Sequence, residues 1–383
     1  VSCLGGNEPW PLLSHAATQS LDAFLMLGDT VYADWGADES IAAKWATAMV
    51  QDGMVDLTSS TSLIVTWDDH EVWNNWSTTS TPEAEWREAL RAYRESLPQR
   101  EGANGEIWRS IRWGDTVEFF VLDCRGERTG GRYMSDVQLQ WLIDGLQASD
   151  AVFKIVLNSV PITDFSFISL VGSVGASDRW QGFPAQRSQL TAACADVSGL
   201  LFVSGDFHVG GAVSIDGASG NAPNVMEILA GPGGSPISSV YNLGPLGTRL
   251  QRRVTSYNYT LFECDPVART IGVEWIGNTG NTLDTLLIEY EGLPYRESLD
   301  VEVRREVFDD ELLGVCLYQL CSAEEPGLNE ALEERLVRFF SDPTPYRVRT
   351  LDSYLLRWGS EATPETLKLV GFLRKHRLGG VLH

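Results

Sequence analysis

Short apolar runs alternate with polar clusters along most of the chain, and the polar clusters sit at the ends of the runs. Residues 21–27 (LDAFLML) stop at Gly28-Asp29, and residues 62–67 (SLIVTW) stop at Asp68-Asp69-His70. Both predict buried strands that deliver polar side chains at their carboxyl ends. Residues 107–123 (IWRSIRWGDTVEFFVLD) predict two alternating strands around Trp113-Gly114-Asp115, a hairpin. Residues 135–147 set Val137, Leu139, Trp141, Leu142 and Leu146 at helical spacing behind Ser135, a suitable cap. Further strands are predicted at 153–160 and 200–204, the second running into Gly205-Asp206-Phe207-His208. A strand-like pattern returns from 254 to 290 (YTLFECD, TIGVEWIG, DTLLIEY). Strand, crossover and strand with polar residues at strand ends predict an α/β sandwich whose site lies at those ends.

Past Tyr290 the texture changes. Residues 306–320, 329–340, 351–358 and 364–378 show helical spacing, broken at Pro326-Gly327 and Pro343-Thr344-Pro345. Thr363-Pro364-Glu365 reads as a helix start and Gly379-Gly380 as a stop. The expected organisation is a main domain over 1–294 and a helical C-terminal extension over 295–383 that carries no recognisable chemistry.

Charge narrows the function. The chain has 383 residues, with 29 Lys and Arg against 52 Asp and Glu, a net of −23. Such a surface repels phosphate backbones, so nucleic-acid binding by a basic patch is excluded. Residues 1–294 hold −19 of that charge and residues 295–383 only −4. Bound cations are one way to neutralise part of it, and solubility is the plainer explanation for most of it. No apolar run reaches the roughly 18 residues of a membrane span. The chain opens on Val1-Ser2-Cys3 without a basic flank or an apolar leader segment.

The chain has five histidines, and two follow predicted strands among acids: His70 in TWDDHEVWNNW and His208 in SGDFHVGG. Asp29 in LGDTVYAD occupies a matching position. Three acid-bearing loops after three apolar strands are what a two-metal hydrolytic site requires. Carboxylate oxygens suit hard cations, and imidazole nitrogen suits a transition ion. Ser204-Gly205-Asp206 looks superficially like part of a serine-hydrolase elbow, but no G-x-S-x-G occurs.

Five ordered segments carry a family resemblance covering about residues 1–290. Gly28-Asp29-Thr30-Val31-Tyr32 resembles the GDxxY loop of purple-acid-phosphatase-type metallophosphoesterases. Trp67-Asp68-Asp69-His70-Glu71 with Asn74-Asn75 resembles the WDDHE…NN signature of PhoD-like alkaline phosphatases and phosphodiesterases. Ser204-Gly205-Asp206-Phe207-His208 is similar to that family's SGDxH loop. Trp113-Gly114-Asp115 with Leu122-Asp123-Cys124-Arg125 resembles its RWGD…LDxR hairpin, with Cys124 where Thr is usual. Residues 179–187 (RWQGFPAQR), led by Asp178, resemble its DxWxGYPxxR segment.

The resemblance implies a metallophosphoesterase-type αββα sandwich. It implies a ferric site of Cys3, Asp29, Tyr32 and His208, because thiolate and phenolate favour the higher oxidation state. Asp29 would bridge to a second ion held by Asp69 and Asn75, with calcium suggested by the oxygen-only donors. A zinc or manganese binuclear centre is the alternative. His70 would protonate the leaving oxygen or orient the phosphate, and Arg125 would fork two phosphate oxygens. Asp206 and Asn74 would make further metal or phosphate contacts, and Trp180 would wall the substrate pocket. The residues themselves leave other readings open: a buried thiol for Cys3, a packing aromatic for Tyr32 and a salt bridge for Arg125.

The implied activity is hydrolysis of small phosphomonoesters or phosphodiesters by in-line attack of a hydroxide generated on a bound cation. Phospholipase D-like diester cleavage and a non-catalytic metal- or phosphate-binding role are the alternatives. The resemblance also implies export to a periplasmic or extracellular location, with a cytoplasmic relative as the alternative. Six cysteines would suggest three disulfides in a secreted protein, but a ligand Cys3 leaves at least one thiol unpaired. Cys316 and Cys321 would lie roughly 140° apart around a helix and could pair only if it breaks.

Overall fold

A computed structural model describes residues 1–290 except 7, 36–38, 169–175 and 239–245. The expected helical extension, with Cys316 and Cys321, lies outside the described residues.

The two runs that open the chain become β1 (Phe24–Leu27) and β2 (Leu63–Thr66), paired in parallel. Residues 1–4 run alongside β1, with Leu27 N–H donating to Val1 O (2.9 Å) and Leu4 N–H to Asp29 O (2.9 Å). The period of two shows in β1. Phe24 and Met26 pack toward the helices α1 (Pro11–Ala17), α2 (Ile41–Met49), α3 (Asp52–Ser60) and α4 (Glu83–Ser96). Leu27 packs the other way, into the space between the sheets.

The predicted hairpin forms as β3 (Arg109–Trp113) and β4 (Val117–Val121). It is the edge of a seven-stranded mixed sheet in the order β3-β4-β5-β6-β8-β7-β9. The remaining strands of that sheet are β5 (Phe153–Asn158), β6 (Leu200–Ser204), β7 (Gly210–Ser214), β8 (Met226–Leu229) and β9 (Leu250–Val254). Strands β4, β5, β6 and β8 are mutually parallel, so their carboxyl ends share one edge. The 254–290 pattern resolves into the antiparallel strands β10 (Asn258–Asp265), β11 (Thr270–Gly277) and β12 (Thr282–Glu289).

Alternation assigns the layers. Val121, Leu157 and Val203 face Leu27, Ile64, Val273 and Ile288 in the inter-sheet core. Phe120, Val156 and Phe202 face outward against α5 (Asp136–Ala148) and α6 (Pro184–Cys194). Helix α5 starts where the sequence indicates, the Ser135 hydroxyl accepting from Gln138 N–H at 3.1 Å. The result is an αββα sandwich: two helical layers flank two strand layers, one the seven-stranded sheet and the other the β1-β2 pair together with the three-stranded β10-β11-β12 sheet. Among the described residues no helix is long and apolar enough to cross a membrane.

Candidate metal centre

Every loop that leaves a parallel strand at the shared edge contributes to one cluster. Gly28 makes the first turn possible. Its φ is +89°, and a Cβ there would lie 2.4 Å from the Asp68 Cβ. Close approach of the β1 and β2 loops at this glycine brings Asp29 against Asp69 and His70.

Three groups of donor atoms result, each with its atoms within 4.8 Å of one another: Cys3, Asp29 and His208; Asp29, Asp69 and His70; Asp68, Asp69 and Asp206. Asp29 joins the first to the second, and Asp69 joins the second to the third. Around Asp29 the protonated donors converge. Cys3 Sγ and Tyr32 OH both donate to its Oδ2 at 3.4 Å, and His70 N–H donates to its Oδ1 at 3.3 Å.

The backbone at these positions is strained. Positive φ outside glycine occurs at Cys3 (54°), Asp29 (54°), Asn75 (58°), Asp206 (62°) and His208 (51°). Trp10 and Arg269 are the other such residues among those described. Left-handed conformations cost of order 1–3 kcal/mol each and persist where surroundings over-determine them, commonly at functional sites. Strain concentrated on candidate ligands is therefore a mark of a built site.

Electrostatics point the same way. Burial raises Asp29 and Asp206 well above the ordinary carboxylate range, with repulsion from neighbouring acids adding to it. Asp68 is pushed up to about 6 by burial against the opposing pull of Arg125. Asp69 is the exception: although burial opposes it, Arg125, His70 and the Asn75 N–H hold it well below the usual value. Its Oδ2 accepts from Asn75 N–H at 2.6 Å, while its buried Oδ1 has no hydrogen-bond partner. An orphaned carboxylate oxygen among crowded acids fits a bound cation.

The histidines are prepared as ligands or acids. His208 Nδ1 lies 2.8 Å from Pro236 O, which can only accept, so the proton is on Nδ1 and Nε2 keeps the lone pair. His70 stacks on Tyr32 at 4.0 Å and sets Nδ1 2.8 Å from Asp34 Oδ1. Burial alone would lower its pKa, but Asp34 and Asp69 outweigh that and raise it.

The model of the family described as PhoD-like phosphatase matches residues 1–262. The chain belongs to the PhoD-like phosphatase family. It is 25% identical over 248 residues to alkaline phosphatase D of Bacillus subtilis (strain 168), a match covering 51% of this chain and 42% of that relative. The chain thus spans well under half the length of the curated relative it matches. Its fold is similar to a solved structure of PhoD, with a TM-score of 0.61 at 17% identity, covering 76% of this chain and 67% of the other. It is also similar to the purple acid phosphatase PPD1 from yellow lupin seeds, with a TM-score of 0.54 at 14% identity, covering 73% and 48%.

Within this PhoD-like chain, the sequence-predicted residues Cys3, Asp29, Tyr32, Asp69, His70, Asp206 and His208 come together, and the exposed Asn75 joins them through its backbone N–H on Asp69. Three others sit differently from expectation. The Arg125 guanidinium is fully buried and engaged by carboxylates: Nε and Nη2 bind Asp68 (2.7 and 3.1 Å), and Nη1 binds both oxygens of Asp178 (2.9 and 3.0 Å). Those carboxylates occupy the fork expected for phosphate, and the guanidinium fixes acids instead. Trp180 is at 0% exposure, its ring 4.3 Å from Tyr133 and its indole N–H on Asn158, so it packs in the core. Asn74 reaches the cluster by its backbone, N–H to Asp34 Oδ2 at 3.0 Å, while the residue itself is exposed.

Sequence reasoning missed the supports. Glu71 accepts from the N–H groups of Asp29 (3.1 Å), Thr30 (2.6 Å) and Asp68 (2.8 Å), fastening the two acidic loops together. Asp34 orients His70, and Ser159 OH donates to Asp68 at 2.7 Å. Asp68 and Glu71 stand inside the WDDHE string, where three acids within four residues at a buried strand end are the available signal. A cavity of about 580 Å³ between β1 and β10, lined by residues such as Phe24, Leu25 and Leu261, includes no candidate ligand.

Among the described residues Cys3, Cys124, Cys194 and Cys264 are all free thiols.

Proposed function

We propose that this chain hydrolyses phosphate esters, monoesters or diesters, at the donor groups joined through Asp29. The observation that carries the reading is the left-handed backbone at Cys3, Asp29, Asn75, Asp206 and His208, five candidate ligands from four separate loops. Cys3, Asp29, Tyr32 and His208 would hold ferric iron, since a thiolate, a phenolate, a carboxylate and an imidazole suit a higher-valent transition ion. Asp29, Asp69 and Asn75 would hold calcium through oxygen alone, with Asp206 completing or flanking that set. Bound cations would supply Lewis acidity, neutralising charge on the phosphate and on the attacking and leaving oxygens.

The chain's own residues account for the rest. His70 sets Nδ1 on Asp34, and Asp34 and Asp69 raise its pKa, which favours the protonated ring that could deliver a proton to the leaving oxygen. Tyr32 stacks on that imidazole with ring centroids 4.0 Å apart and limits its rotation. Arg125 neutralises Asp68 and Asp178, so the anionic cluster does not repel an anionic ester as strongly as its acid count suggests.

The test is a chromogenic phosphomonoester and the corresponding bis-ester, assayed on protein stripped by chelation and then reloaded with iron and calcium. Turnover should vanish on stripping and return on reloading, and reloaded protein should be coloured by phenolate- and thiolate-to-iron charge transfer. Asp29→Asn should abolish turnover while the chain still unfolds cooperatively. Absence of hydrolysis of both esters under every loading would overturn the reading.

A further inference from the structure

Arg128 lies three residues past Arg125, is 4% exposed and reaches into the cluster. Its Nη2 donates to Asn75 O at 2.7 Å and to Trp76 O. Its Nη1 donates to Asp178 O at 2.9 Å and to the Asp178 carboxylate. Asp178 in turn accepts both bonds from Arg125 Nη1 (2.9 and 3.0 Å), and Arg125 Nη2 stands 3.6 Å from Asp69 Oδ1. Asp69 Oδ2 accepts from Asn75 N–H at 2.6 Å. The contacts close a ring: Asp69, Asn75, Arg128, Asp178, Arg125 and back to Asp69.

From this ring we infer that Arg128 is a positioning residue for the oxygen-donor cation, locking the left-handed Asn75 beside Asp69. The inference rests on the proposed reading, in which Asp69 and Asn75 take a cation. The physical reason is over-determination. Asparagine at φ 58° adopts a sparsely populated conformation, and one backbone N–H bond to Asp69 does not fix it. Gripping the two successive carbonyls of Asn75 and Trp76 with one planar guanidinium defines the peptide plane that follows Asn75. A lysine ammonium, a flexible point charge, cannot hold two carbonyls and a carboxylate in fixed directions. Asp178 makes the grip rigid by pinning the other end of the same guanidinium and tying it to Arg125, which faces the free oxygen of Asp69. The ring therefore sets both the Asn75 backbone and the Asp69 carboxylate, and none of its hydrogen bonds goes to Cys3, Tyr32 or His208.

That asymmetry gives the test a readout that general support of the fold would not move. Calcium is titrated calorimetrically into protein already loaded with ferric iron, with the visible iron absorption recorded in the same sample. Arg128→Gln should raise the calcium Kd about 10–100-fold, the usual effect of losing a partner behind a metal ligand, with the iron absorption unchanged. Arg128→Lys should fall between the two. Asp178→Asn, nearly the same shape, should weaken calcium in the same direction and guards against a variant that simply misfolds. Unchanged calcium affinity in either Arg128→Gln or Asp178→Asn overturns the inference. Equal loss of iron absorption and calcium in both variants also overturns it, because the ring would then support the whole loop cluster. Wild-type protein that binds iron but no calcium would instead remove the underlying assignment of Asp69 and Asn75.

Discussion

Arg125 meets Asp68 through two parallel bonds, Nε to Oδ1 at 2.7 Å and Nη2 to Oδ2 at 3.1 Å, with both side chains essentially removed from water. The fork matches a carboxylate edge-on, and a second acid, Asp178, takes the remaining amine. Taking this arginine away leaves buried acids without their counter-ion. Arg125→Met should therefore destabilise the fold by about 3–5 kcal/mol in urea unfolding at neutral pH, the usual cost of breaking a buried pair. Arg125→Lys keeps the charge but not the fork and should lose less. A lysine variant with wild-type stability and only a raised KM would mean that the arginine meets substrate after all.

Glu71 is the hinge between the first two acidic loops, because one carboxylate satisfies three backbone N–H groups. Glu71→Gln keeps the shape but turns one acceptor into a donor facing those N–H groups. The expected loss is about 1–3 kcal/mol from the unsatisfied buried groups. Metal affinity should fall as well, since Asp29 loses the bond that holds its backbone N–H. Chemical denaturation combined with metal analysis of the dialysed variant checks both, and unchanged values in both would show that the carboxylate is dispensable.

The strand ends were legible in the sequence because burial on both faces leaves continuous apolar runs, and the polar residues after them have one place to go. Asp29, Asp69 and His208 could be placed on that basis alone. Strands β7 and β8 were not legible. GGAVS and MEIL carry no alternation, and neighbouring strands supply their pairing. Helix α4 is equally hard to read from the sequence. Its buried face is only Ala89, Ala92 and Tyr93, amid charges such as the exposed Arg87–Glu83 pair. The site's supports were hidden for a different reason. Asp34 and Arg128 act on residues dozens of positions away, and nothing local distinguishes such an acid or arginine from a solvated one. Arg125 shows the limit most clearly: a motif could suggest its place in the cluster, but only the packing of Asp68 and Asp178 reveals what its guanidinium holds.

Trp180 separates packing from recognition. Its ring lies against Tyr133 and its N–H reaches Asn158, itself bonded to the Cys124 thiol at 3.0 Å, all in the core behind α5 and α6. Trp180→Ala should cost about 3–5 kcal/mol, as large aromatic truncations in cores do. Trp180→Phe, which keeps much of the volume, should leave KM for both chromogenic esters unchanged while lowering the Tm. A raised KM in the phenylalanine variant at normal Tm would return Trp180 to the substrate pocket.

The acid crowding also predicts how metal and pH act together on stability. Burial lifts Asp68 to about 6 and Glu71 to about 7 in the metal-free fold, while unfolded carboxyls titrate near 4. A folded-state pKa above the unfolded one means that the folded chain holds protons that the unfolded chain has released. Metal-free stability should therefore fall as pH rises from about 4 through about 7, the folded-state range of these two groups. Cations bound among Asp29, Asp69 and Asp206 offset the same repulsion and displace protons, so their binding strengthens over that window. The Tm increment on adding iron and calcium to chelator-treated protein should accordingly grow from about pH 5 to about pH 8. Scanning calorimetry in matched buffers measures it directly. An increment that stays flat or shrinks with pH would mean that the buried acids are neutralised by something other than the cations, and that the cluster's charge is not what binds them.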